Sequence, residues 1–308
     1  MPEPLRFDRA SKRVLTYLRG AVPMGMWTVT RVVDNKQVYL TVDDVAYGIP
    51  PGASVDWSAT LCQHMVRGDV PRICIDVRRY PHCADIVTST GAPVLSYIGL
   101  PIVISDGTLF GTLCGFSTTT QQPEIEQHDG LLQLLTDLLS SVLESDLDQT
   151  EILRTLERTE LRASTDPLTG LPNRGAWDRL LEQEEERYRR FGDSCALICI
   201  DLNELKAIND RDGHPAGDEL LRLVARTLAE NVRETDVVAR VGGDEFGVLA
   251  AATTEPEAVA LVHRLRSALA AVGASASFGH AQYVMTDGFA KTWKTADAAM
   301  YAEKRLRR

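Results

Sequence analysis

The chain has 308 residues, 44% hydrophobic and 25% charged, the length of about two domains and the balance of a soluble globular protein. A net charge of -10 argues against general nucleic-acid binding, because long-range repulsion opposes a polyanion. No run reaches the roughly 20 apolar residues of a membrane helix, and MPEPLRFDRASKR lacks the apolar core of a secretory signal, so a cytoplasmic chain without a membrane segment is expected.

Residues 1–22 show helical spacing at Leu15, Leu18 and Val22. From 25 to 120 the pattern changes to strands and turns. WTVTRVVDNKQVYLTV alternates around an Asp34-Asn35-Lys36 turn, and YIGLPIVISDGTLFGTLCGF reads as two strands joined at Ser105-Asp106-Gly107. Residues 57–90 hold a short helix or loop region. A mixed α/β sensor-like domain with a central antiparallel sheet is expected over 1–145, its N-terminal helix included. A leucine-rich stretch then predicts a helix from about Glu124 to Ala163. A heptad threads Leu135, Leu138, Val142, Ser145, Gln149, Ile152, Leu156, Thr159 and Ala163, its polar members weakening the seam while fixing its register. Residues 124–163 are read as a dimer stalk; the alternative is a helix packed on its own domain.

At Asp166-Pro167, Gly170 and Pro172 the helical pattern breaks, and a second domain, 164–308, begins. It is expected to hold a helix at 175–191, a strand at 195–201, a helix at 216–231, a hairpin at 236–251, a helix at 255–271, a strand at 274–283 and a helix at 291–306. A ββ hairpin between helices points to an α+β sheet rather than a doubly wound one.

The six cysteines, Cys62, Cys74, Cys83, Cys114, Cys195 and Cys199, include no CxxC pair, so no structural zinc site is expected. Cys195 and Cys199 read as small core residues. Cys74 and Cys83, near His64 and His82, admit a metal or redox role, but ordinary thiols in a reducing cytosol are the preferred reading.

Three features carry chemistry. The apolar run CALICI reads as a strand buried on both faces and ends in Asp201, a place for a hard cation. In VVARVGGDEFGVLAA, Gly242 and Gly243 suit a turn that a ligand approaches closely, and Asp244 and Glu245 follow directly. If this hairpin lies beside the first strand, Asp201 and Asp244 converge to hold Mg²⁺ against a triphosphate. In NELKAINDRDGHPAGDELL, Lys206 suits phosphate. Asn209 offers a donor and an acceptor. Asp218 is read as opening an amphipathic helix, where the helix dipole stabilises an acid; its carboxylate also suits the two-donor edge of guanine.

GGDEF (242–246), DPLTGLPNR (166–174), DLNELKAINDRDGHPAGDEL (201–220), SFGHA (277–281) and ADAAMYAEK (296–304) resemble, in order and spacing, the motifs of the GGDEF family of diguanylate cyclases. The resemblance implies a palm-like, ferredoxin-related nucleotidyl cyclase fold that joins two GTP into cyclic di-GMP with release of pyrophosphate, across a homodimer. It implies that Asp201, the Leu202 carbonyl and Asp244 hold Mg²⁺ (or Mn²⁺). Asp244 would serve as or orient the base for the 3′-hydroxyl, with Glu245 supporting, and Lys206 would stabilise phosphate charge. Asn209, His214 and Asp218, with Gly242 and Gly243 at the turn, would bind the nucleotide, and Lys304 and Arg308 would grip the triphosphate. RETD (233–236) resembles the family's inhibitory site, so Arg233 and Asp236 are expected to bind the product, cyclic di-GMP. Asn203 and Leu205 replace the family's commoner acid and aromatic, and Arg307 stands where glycine is frequent; the stop at Arg308 leaves room for a further domain such as a phosphodiesterase. More loosely, WSATLCQHMVRGDVPRICIDVRRYP and YIGLPIVISDGTLFGTLCGF resemble a GAF domain, which implies an unidentified small ligand and regulation of the second domain. His64 as a haem ligand is the weaker alternative to a hydrogen-bonded histidine. Competing readings are a GGDEF domain that senses nucleotide without turnover, a cyclase making a mixed or adenine dinucleotide, and a sensor whose GAF dimer matters more than catalysis.

Overall fold

A computed structural model describes residues 6–81, 83, 91–161 and 164–306, without the side chains of 155–161. Among the expected residues, His82, Ala163, Arg307 and Arg308, and the side chains of Leu156 and Thr159, lie outside that description. The chain folds as two compact units, Met1–Ile152 with Arg189–Gly192, and Leu153–Tyr188 with Asp193–Arg308.

In the first unit, α1 (Phe7–Ala21) buries Phe7, Leu15 and Leu18, and Val22 follows, buried. Strands β1 (Met26–Val33) and β2 (Lys36–Asp44) are joined through Asp34 and Asn35, both at positive φ (52° and 57°). Two such residues match the twist of a tight hairpin. Then come β3 (Ser54–Asp56), α2 (Leu61–Arg67), β4 (Ile73–Cys74), β5 (Ser96–Val103) and β6 (Leu109–Ser117). The strands form one antiparallel sheet in the order β3-β2-β1-β6-β5-β4. Alternation along the strands divides the core. Trp27, Val29, Ile98 and Leu100 pack with α1 and with α3 (Asp129–Leu161). Met26, Tyr97, Cys114 and Phe116 pack with Leu61 and Cys62 of α2.

Helix α3 starts at Asp129 rather than Glu124, because Pro123–His128 is a 3-10 segment. Its buried stripe is Leu132, Thr136, Leu139, Leu143, Asp146 and Thr150. The helix therefore packs on its own domain through one face. The threaded heptad is the adjacent stripe, with Leu138 54% and Ile152 63% exposed. Asp146 tolerates burial because its carboxylate accepts the Phe7 N–H at 2.9 Å and pairs with the Arg190 guanidinium at 3.0 Å. His64 is hydrogen-bonded, with Nδ1 3.0 Å from Asp69 Oδ2.

The second unit contains α4 (Arg174–Phe191), β7 (Cys195–Leu202), α5 (Leu205–Asp212), α6 (His214–Glu230), β8 (Val237–Arg240), β9 (Glu245–Ala251), α7 (Glu255–Ala271), β10 (Ala276–Gln282) and α8 (Gly288–Leu306). Its sheet runs β10-β7-β9-β8, antiparallel throughout, so the fold is α+β. Every residue of β7 is buried. Ala196, Ile198, Ile200 and Leu202 pack with Val224 and Leu228 of α6 and with Leu261 and Leu265 of α7. Cys195 and Leu197 pack with Trp177 and Leu180 of α4, and Cys199 with Ala296 and Met300 of α8. The two-residue period puts Asp201 on that second side, towards α8. Gly279 of β10 fixes how near α8 comes, since a Cβ there would lie 2.1 Å from Ala296 O and 2.1 Å from Met300 N. Among the described residues, no helix is long and apolar enough to cross a membrane.

Candidate active site

The hairpin lies beside β7. Asp201 stands opposite Glu245 in the ladder, and Leu202 N–H donates to Asp244 O at 2.9 Å. The turn closes through Val241 and Gly242 N–H groups donating to Glu245 O, at 2.9 and 3.2 Å. Nothing lies within 4 Å of where a Gly243 Cβ would point, so the tip is open to a ligand. From α8, Lys304 Nζ reaches both Asp201 oxygens, at 2.6 and 2.7 Å, with the aspartate side chain only 6% exposed. Glu245 is pushed above the ordinary glutamate range by partial desolvation first, then by Asp244, Asp201 and Asp297, with Lys304 opposing them. Four carboxylates thus share one small region, and one lysine offsets them. Asp297 was not anticipated from the sequence; its one signal is the spacing of two helical turns to Lys304, which puts both on one face of α8.

A second arm fixes the hairpin tip. Arg240 donates to Gly243 O through Nη2 at 2.7 Å and Nε at 3.3 Å, and to both Asp166 oxygens through Nη1 at 3.0 and 3.2 Å. Asp166 also accepts from Thr169 N–H at 2.9 Å and Oγ1–H at 2.7 Å. Burial alone would raise the Asp166 carboxyl, but Thr169 and Arg240 outweigh it and hold the group below the ordinary 3.8. A depressed folded pKa adds stability above the unfolded value that is lost as pH falls through the folded one. The urea midpoint is therefore expected to drop on acidification below pH 3.8, with a shallower drop in Asp166→Asn; equal slopes in the two proteins would contradict this.

The guanine-reading candidates lie on the helices after β7. Glu204, at φ 65°, turns the chain into α5, a helix absent from the expectations, which carries exposed Lys206 and half-buried Asn209. Asn209 Oδ1 is buried with no hydrogen-bond partner, and a Cβ on Gly217 would lie 1.9 Å from it. Gly217 thus leaves the space that the amide fills. Helix α6 starts at His214-Pro215, so Asp218 sits in the second turn and does not open the helix as expected. Proline suits the first turn because its missing N–H is unneeded there. The dipole argument for Asp218 therefore falls away, since that effect fades beyond the first turn.

Arg233 and Asp236 lie in the turn before β8. Asp236 is buried and accepts the Arg233 N–H at 2.9 Å and the Ala251 N–H at 3.1 Å. The Arg233 guanidinium is 3.7 Å from Glu257, not on Asp236. Both line a cavity of about 90 Å³ with Thr253, Leu261 and Arg264.

The family profile described as "Diguanylate cyclase, GGDEF domain" matches residues 163–308. A crystal structure of a sensory box/GGDEF family protein from Caulobacter crescentus is 38% identical, covering 46% of this chain and 99% of that one, with a TM-score of 0.43. Residues 163–308 belong to the GGDEF family. The relatives of this GGDEF protein include diguanylate cyclase DgcP of Pseudomonas aeruginosa, 37% identical over 198 residues, which cover 61% of this chain and 29% of that protein. Diguanylate cyclase DgcP of Escherichia coli is 27% identical over 300 residues, which cover 89% of this chain and 86% of that protein. The GGDEF chain thus spans less than a third of the length of the Pseudomonas relative.

Proposed function

We propose that the chain is a diguanylate cyclase that condenses two GTP into cyclic di-GMP and releases two pyrophosphates, working as a homodimer. The observation that carries this reading is the convergence of Asp201, Asp244 and Glu245 beside an open glycine turn, with a lysine cation lying on Asp201. An all-oxygen donor set of two carboxylates and the Leu202 carbonyl suits Mg²⁺ or Mn²⁺, and magnesium is commonly held by one or two carboxylates plus substrate phosphates. The Lys304 ammonium 2.7 Å from Asp201 is consistent with a carboxylate that takes a cation. When bound, such an ion would neutralise phosphate charge. The chain's own groups do the remainder. Asp244, aided by Glu245, accepts or orients the 3′-hydroxyl proton. Lys206 and Lys304 face the phosphates. His214 lines the nucleotide, and Gly242 and Gly243 admit it. Attack of each 3′-hydroxyl on the other nucleotide's α-phosphate is then a matter of bringing two sites face to face.

Asn209 and Asp218 are the proposed readers of guanine. The unpartnered Asn209 oxygen supports this, since a buried acceptor lacking a donor is costly until a ligand supplies one. Gly217→Ala is expected to raise the KM for GTP about tenfold with a smaller effect on kcat. Steady-state kinetics would show this, and an unchanged KM would separate Asn209 from the base. The exposed α3 stripe of Leu134, Leu138 and Ile152 supports the dimer seam. The first unit is proposed as a GAF-like regulator with a small ligand, and the Arg233–Asp236 turn as the product site.

The test is incubation with GTP and Mg²⁺ beside Asp244→Ala, with products resolved by mass. Cyclic di-GMP from the wild type alone supports the enzyme; no product even after bound nucleotide is stripped would favour a nucleotide sensor.

A further inference from the structure

Cys62, in the first turn of α2, and Cys114, on β6, place their sulfurs 2.9 Å apart, and both residues are fully buried. A disulfide bond is about 2.05 Å long, so bond formation asks for movement of less than about 1 Å. The surroundings are polar. Gln37 Nε2 donates to Cys62 Sγ at 3.1 Å and to Thr112 Oγ1 at 3.1 Å, and Thr112 Oγ1 lies 2.9 Å from Cys114 Sγ. Thr30 joins the network 2.8 Å from Thr112. The Tyr97 ring lies over Gly99, where a Cβ would collide with its hydroxyl. Hydrocarbon would fill this interior more cheaply than polar side chains at 0–1% exposure.

The same contacts make the two sulfurs unequal. Burial acts to raise the Cys62 thiol, but its hydrogen bonds with Cys114 and Gln37 oppose that and bring it below its ordinary value. Burial, then Cys62 itself, keeps the Cys114 thiol well above its ordinary value. An acidic thiol touching a neutral one is the pairing of an attacking thiolate and a resolving thiol. Cys74 and Cys83 differ, both being raised by burial.

We propose that Cys62 and Cys114 form a reversible dithiol–disulfide site oxidised by small hydroperoxides. The Cys62 thiolate attacks one peroxide oxygen and the O–O bond breaks. The leaving oxygen takes a proton and departs as water or alcohol, leaving a sulfenic acid on Cys62. Cys114 then attacks that sulfur, the S–O bond breaks, and hydroxide departs with the Cys114 proton as water. The peroxide gains the two electrons that the sulfurs lose, and a dithiol reductant returns them. Complete burial confines both reagents to small molecules, a small hydroperoxide as oxidant and a small dithiol as reductant. The product bolts α2 to β6 across 52 residues of sequence.

The test exposes the reduced full-length chain to hydrogen peroxide, then unfolds it for thiol counting and peptide mapping. The expected result is loss of two of the six thiols, a mass lower by two hydrogens, and a linked peptide pair carrying Cys62 and Cys114 that a dithiol restores. In Cys114→Ser the reaction should stop at a Cys62 sulfenic acid trapped by a 1,3-diketone; if that variant does not fold, the wild-type map decides alone. Six thiols surviving excess peroxide in the folded chain, a bridge between other cysteines, or oxygen addition without a bridge would each overturn the proposal.

Discussion

Alanine at position 279 is expected to destabilise the second unit by about 3 kcal/mol, read as a lower urea midpoint. The added methyl would stand 2.1 Å from Ala296 O and 2.1 Å from Met300 N. Both atoms are helix backbone, so no rotamer change relieves the clash. The remaining response is for α8 to lift from β10, and α8 carries Asp297 and Lys304. Activity should therefore fall with stability in Gly279→Ala. Gly273→Ala is no neutral control, because it has φ 77° and would be strained despite open space. Gly20→Ala, with nothing within 4 Å of the new methyl and no positive φ, is the better one. A Gly279→Ala midpoint within error of the wild type would mean that α8 does not press on β10.

Asp201→Ala is expected to lower the rate of cyclic di-GMP formation by about 1,000-fold, the larger effect on chemistry. It removes the carboxylate most enclosed in the cluster and the partner of Lys304. Stability should change by only about 1 kcal/mol, because the lysine side chain retains 26% exposure and finds water. Lys304→Ala should act differently, raising the KM for GTP more than it lowers kcat, if its cation moves from Asp201 to hold phosphate as proposed. Turnover of Asp201→Ala within tenfold of the wild type would remove Asp201 from the reacting centre.

Much of the second unit was legible because its chemistry sits in contiguous runs. CALICID is apolar at every position until Asp201, and only a strand covered on both faces needs that. The glycine pair before Asp244 and Glu245 placed the hairpin. Helix α5 was missed because LKAINDRD has no apolar stripe and buries no residue. The start of α6 was misplaced because Gly213, at φ 85°, both ends α5 and caps α6. Which face α3 turns to its own domain was illegible for another reason. In LLQLLTDLLSSVL seven of 13 residues are leucine, so two neighbouring stripes fit a heptad equally well. The buried one contains Thr136, Asp146 and Thr150, polar residues that composition assigns to the surface. What keeps Asp146 inside is the Phe7 N–H, 139 residues away, together with the Arg190 guanidinium, 44 residues away, partners that no local pattern reveals.

The Lys304–Asp201 pair also makes the resting site self-occupied. A cation arriving alone must compete with a tethered ammonium already on its carboxylate, whereas a triphosphate arriving with it gives that ammonium another anion to hold. The two ligands should therefore promote each other's binding, each weak alone, and by linkage the enhancement must be equal in both directions. Calorimetric titration of each with and without the other would measure that coupling, and in Lys304→Ala it should shrink.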